Sequence, residues 1–117
     1  MTDITRVRGP YAGRNSGTSY NGMGWAVATT QVETDDLHRQ TVSTLARLDE
    51  ILSELGTDRS RILSATIYIV DIARKDEMDR AWTDWIGDDP THWPQRACVQ
   101  TGLAPGHLVE IALLVAI

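Results

Sequence analysis

From Asp35 to Leu55 the apolar positions fall on one helical stripe. Thr41, Leu45, Leu48, Leu52 and Leu55 follow a 4-3-4-3 spacing, and Val42 and Ile51 widen it. Thr34 or Asp35 is placed to cap the start of this helix and Gly56 to close its end. A second helix is expected over Asp76–Ile86, burying Met78, Trp82, Trp85 and Ile86 and stopped by Asp88-Asp89-Pro90. β-Prone runs mark strands at Ile4–Arg8, Trp25–Thr30, Arg61–Val70, Gln95–Thr101 and Leu108–Ile117. Between Gly9-Pro10-Tyr11 and Gly24 the chain is rich in Gly, Ser and Asn, which reads as turns and loop with room for a short ribbon. The order β-β-α-β-α-β-β predicts an α+β fold, one mixed sheet with two helices on one face. With no repeat, linker or low-complexity tract, residues 1–117 form a single domain.

The far side of that sheet changes the picture. Along Arg61–Val70, Leu63, Ala65, Ile67 and Ile69 are expected beneath the helices, leaving Ile62, Ser64, Thr66, Tyr68 and Val70 on the other face. The last strand is apolar at both parities. Two helices cover one side only, so the chain is expected to bury the second side against copies of itself.

Composition narrows the function. Hydrophobic residues at 42% and charged residues at 23% are ordinary globular usage. A net charge of -5, from 11 basic and 16 acidic residues, argues against nucleic acid or an anionic membrane as partner. The longest apolar stretch, Ile111 to Ile117, is too short to span a bilayer, and Met1-Thr2-Asp3 begins no basic-then-apolar leader. One cysteine forms no internal disulfide, and no Cys/His zinc spacing exists. A cytoplasmic protein without a metal is the expectation.

Glu110 is the most informative candidate, a carboxylate inside Val109-Glu110-Ile111-Ala112-Leu113-Leu114-Val115. Burying such a charge costs several kcal/mol, of order ~5, unless it is paired. Its two readings are a functional acid and a residue at the strand's wet start. Arg96 opens the strand Arg96-Ala97-Cys98-Val99, where a guanidinium can hold a carboxylate ligand through two parallel bonds. The other reading is a structural ion pair, with Glu110 or with an acid of another subunit. Cys98 shares strand parity with Arg96 and reads as a small pocket or core residue rather than a nucleophile. His38, His92 and His107 have no metal spacing. The Gly9–Gly24 stretch lacks the Gly-Lys-Ser/Thr ending of a phosphate loop.

Taken together, Trp93-Pro94-Gln95-Arg96-Ala97-Cys98-Val99, followed ten residues later by Val109-Glu110-Ile111, resembles the signature of the RidA/YjgF family. The likeness runs from about Gln40 to Gly102, with Gly9-Pro10-Tyr11 matching a Gly-Pro-Tyr near the family's start. It implies a chorismate-mutase-like fold, a homotrimeric barrel and clefts between subunits. The implied activity is cofactor-free hydrolysis of small 2-imino or 2-enamino acids to 2-keto acids and ammonia. Arg96 falls on the arginine that grips the substrate carboxylate, Glu110 on the glutamate that positions water, and Cys98 on a pocket-lining cysteine. Asp79 falls where some members carry a pocket Asn. Tyr11 matches the pocket tyrosine by motif, with Tyr20 a second candidate. Thr29 takes the place of a strand Ser, although the usual Ser-Gly reads Thr29-Thr30, and the second glutamate after Glu110 is Ala112. The alternatives are a non-catalytic trimer that binds small carboxylates or a protein partner, and a chorismate mutase. The last is disfavoured because Arg96 is the only evident cation for a dianion.

Overall fold

The computed structural model describes residues 3–117, so Met1 and Thr2, part of the N-terminus read above as lacking a leader, lie outside it. Strands β1 (Thr5–Arg8), β2 (Asn15–Tyr20) and β3 (Met23–Thr29) precede helix α1 (Leu37–Glu54). Then come β4 (Ile62–Ile69), α2 (Lys75–Ile86), β5 (Gln95–Gln100) and β6 (Val109–Ala116). The strands make one six-stranded sheet in the order β1-β2-β3-β6-β4-β5. It is mixed: β4 and β5 run parallel and the other neighbours antiparallel. Helices and sheet close on one core, where Leu45, Leu48, Ile51 and Leu52 of α1 and Met78 of α2 meet Ile67, Ile69, Ile111 and Val115. No described helix is long and apolar enough to cross a membrane.

Three expectations need correction. The Gly/Ser/Asn-rich stretch is not mainly loop, since Asn15–Tyr20 is a full strand paired with both β1 and β3. Its hairpin turns at Asn21-Gly22, both at positive φ (55° and 80°), which is the primed turn that matches the twist of paired strands. That dipeptide was the missed signal, and the order gains a strand to become β-β-β-α-β-α-β-β. Second, a register shift between Ile62 and Ser64 exchanges two parities. Ile62 is therefore buried and Leu63 exposed, while Ala65, Ile67 and Ile69 point inward as expected. Third, Val42 does not widen the buried stripe of α1. It is 49% exposed, and Gln40 and Thr44 take inner positions instead.

The ends of α1 follow capping chemistry with a shifted start. Asp36, rather than Thr34 or Asp35, accepts a hydrogen bond from the Arg39 amide at 3.1 Å. Gly56, at φ +83°, closes the helix as anticipated. Its N–H donates to the Ser53 carbonyl and that of Thr57 to Leu52, so the orphan carbonyls are satisfied.

Gln40 ties this helix to the chain ends of two strands. Its Nε2 donates to the Thr34 carbonyl (2.7 Å) and the Gly106 carbonyl (2.9 Å), and its Oε1 accepts from the Leu108 amide (2.9 Å). One fully buried side chain thus pins the segment leaving β3 and the segment entering β6. Gln40→Leu removes the side-chain partner of three part-buried backbone groups at once and is expected to cost about 3 kcal/mol. Urea denaturation of the variant checks this, and an unchanged midpoint would refute it.

Candidate active site

The open face of the sheet is apolar, as the alternation demanded. Trp25, Val27 and Val99 stand exposed on it, beside half-buried Tyr68, Ala112 and Leu114. Strand register lays Thr29, Glu110, Tyr68 and Val99 in one row across β3, β6, β4 and β5. Glu110 is the second residue of β6 and pairs with the last residue of β3, so it does lie near the strand's start. It is half-buried in a central strand, flanked by the Thr29 and Tyr68 positions. Among the described residues no side chain makes an ion pair or hydrogen bond with it.

Arg96 lies on the other side. In the parallel register it is opposite Ala65, and Cys98 is opposite Ile67, both buried beneath the helices. The Arg96 side chain is only 18% exposed. Its Nη2 donates to Asp79 Oδ1 at 2.6 Å, its Nη1 sits 3.7 Å from the Met78 sulfur, and its carbon lies 5.5 Å from the Trp82 ring centre. The structural pairing considered for Arg96 exists within the chain, and its partner there is Asp79 rather than Glu110. Asp79 also accepts from Lys75 Nζ at 2.7 Å. Burial pushes the Asp79 carboxyl upward, yet the bonds from Lys75 and Arg96 outweigh it and hold the group below the ordinary value.

Desolvation raises the Cys98 thiol above its usual value against the pull of Arg96 and Lys75. That suits a wall residue and not a thiolate nucleophile.

Within one chain the structure brings together Arg96, Asp79 and Cys98, and separately Glu110 and Thr29. The sheet separates the two groups. A local hairpin does not join them either, because β4 lies between β5 and β6. The two tyrosines also part company. β2 starts near the Thr29 end and finishes with Tyr20 paired to Met23 at the far end. Tyr11, in the turn before β2, is at the Glu110 end of the sheet, 54% exposed and covered by Arg14 at 4.5 Å. Within one chain Tyr20 is thus at the end of the sheet away from Glu110.

Sequence reasoning missed Gln40, which secures the segments next to Thr29 and Glu110. A glutamine one position before the apolar stripe of α1 was the available signal. Those two segments, 30–35 and 105–108, also line a groove of about 550 Å3.

Comparisons with known proteins converge. A family model described as Endoribonuclease L-PSP matches residues 15–117. A RutC family protein of Haemophilus ducreyi is 40% identical over 102 residues, 84% of each chain. The RutC family protein YoaB of Escherichia coli is 39% identical over 83 residues, 70% of this chain and 71% of that one. A YjgF family member of known structure from Neisseria meningitidis superposes with a TM-score of 0.89 at 29% identity, over 97% of this chain and 94% of that one.

Proposed function

We propose, from the premise that this chain belongs to the RidA/YjgF family, that it hydrolyses small 2-imino and 2-enamino acids to 2-keto acids and ammonia, in the cytoplasm and as a homotrimer. The observation that carries the reading is Glu110, a half-buried carboxylate that no described side chain pairs with, at one end of an apolar sheet face. A group that costly to desolvate is retained where water or substrate must meet it.

A cleft holding both Arg96 and Glu110 requires a second copy, since the sheet separates them in one chain. Packing the open face of one subunit against the β5 and α2 edge of the next covers the exposed apolar side chains. It also sets Glu110 of one copy toward Arg96 of another. Repeating that contact around a three-fold axis closes a ring and leaves no face uncovered.

In such a cleft the Arg96 guanidinium, one edge held by Asp79, keeps donors free for the substrate carboxylate and fixes its pose. An enamine first tautomerises to the imine. Glu110 orients a water toward the carbon of the protonated imine and takes its proton as the C–O bond forms and the C=N electron pair settles on nitrogen, giving a neutral amine. The carbinolamine nitrogen then receives the proton from Glu110. The C–N bond breaks with its electron pair leaving on ammonia, and the hydroxyl passes its proton back to Glu110 as C=O forms, a proton that Glu110 then gives up to solvent. The family model's ribonuclease description calls for a cationic groove, which a chain of net charge -5 with Arg96 and Lys75 both engaged by Asp79 is poorly made to supply.

The test follows imines made in situ by an amino-acid oxidase, across several side-chain sizes. Accelerated ammonia release and a solution mass three times the 13.0 kDa of one chain are expected. No acceleration with any substrate overturns the proposal.

A further inference from the structure

Resting on the reading of Arg96 as the carboxylate anchor, we infer that Asp79 and Lys75 make this site select ligands with one carboxylate and reject those with two. The charges within hydrogen-bond reach of each other are two cations and one carboxylate. Lys75 holds one Asp79 oxygen at 2.7 Å and Arg96 the other at 2.6 Å. A single positive charge remains uncompensated, which one ligand carboxylate neutralises.

A second carboxylate meets unfavourable ground on that side. Asp79 also borders a groove of about 460 Å3 lined by Asp76, Arg80, Thr83 and Asp84 as well. With Asp79 already compensated by Arg96 and Lys75, Asp76 and Asp84 there face the single guanidinium of Arg80, so this neighbouring groove carries a net negative charge. A neutral or cationic side chain is accepted there and an anionic one repelled. The aromatic face of Trp82 against Arg96 offers no hydrogen bond to a further anion.

Asp79 therefore has two effects, orienting the guanidinium and setting the charge the site tolerates. An Asn at this position keeps an acceptor for Arg96 and removes the negative charge. Lys75→Gln does the opposite, lowering the positive charge while leaving the Arg96–Asp79 pair. A purely structural role for the trio would shift affinity for both ligand classes together.

The experiment is calorimetric titration of the full chain with 2-oxopentanoate and 2-oxoglutarate, product-type acids of equal length that differ by a terminal carboxylate. The wild type is expected to bind the monocarboxylate about tenfold tighter. Asp79→Asn should bring that ratio down to about threefold or less, and Lys75→Gln should widen it. Equal affinities in the wild type, a ratio neither variant moves, or variants that move it in the same direction would each overturn the inference. Absent imine hydrolysis with a ratio that shifts as stated removes the deaminase reading and keeps this one. Hydrolysis with a flat ratio does the reverse.

Discussion

Glu110→Gln leaves the affinity for a 2-oxo acid within about threefold of wild type and lowers imine hydrolysis by about 10²–10⁴-fold, the range for loss of a positioned base. Glutamine keeps the size and a hydrogen-bonding oxygen of the side chain but cannot take a proton from water. Folding should not suffer. No described residue depends on the carboxylate, and the neutral amide is easier to hold half-buried in β6. Ammonia release above the spontaneous background measures the rate, and calorimetry with 2-oxopentanoate measures the binding. A variant that binds and turns over as the wild type does removes Glu110 from the chemistry. It leaves the non-catalytic, carboxylate-binding trimer as the better description.

Arg96→Ala should reduce kcat/KM by about 10²–10³-fold, because two charge-assisted bonds to the substrate are lost together. Here binding falls with turnover, which separates this variant from Glu110→Gln. Asp79 keeps Lys75 as a partner, so the loss does not leave an unpaired half-buried carboxylate. Arg96→Lys should recover little. An ammonium offers no planar fork, and it cannot hold both Asp79 and a ligand in one fixed geometry. Full activity in Arg96→Ala, with secondary structure intact by circular dichroism, defeats the anchoring role.

Much of the architecture was readable before any coordinates. The Leu45, Leu48 and Leu52 stripe, the Met78, Trp82 and Ile86 stripe and the β-branched run ending at Ile69 each declare one element through local periodicity. The matching order of motifs around Arg96 and Glu110 placed the chain in its family, and the match to residues 15–117 carries that likeness past the Gln40–Gly102 span that motifs supported. Errors gathered where local preference competes with pairing. Asn15–Tyr20 has weak strand propensity, and becomes a strand because β1 and β3 offer hydrogen bonds on both sides and Asn21-Gly22 turns the chain back. The bulge at Ile62 to Ser64 reverses two side chains that strict alternation had assigned the other way.

The candidate site divides along the same line. Sequence by itself singled out the candidates, because a carboxylate in an apolar strand and an arginine opening a short strand after Trp93-Pro94 are anomalies visible in one dimension. It also determined that both faces of the sheet carry apolar side chains, since alternation counts apolar parities. Only the tertiary structure decided that Arg96 answers to Asp79 and that Tyr11 rather than Tyr20 shares the Glu110 end. It alone decided that β4 inserts between β5 and β6, which puts Arg96 and Glu110 on opposite faces. The reason is physical. Periodicity records which side of its own strand a residue occupies, whereas strand order and helix placement depend on contacts between segments far apart in the chain.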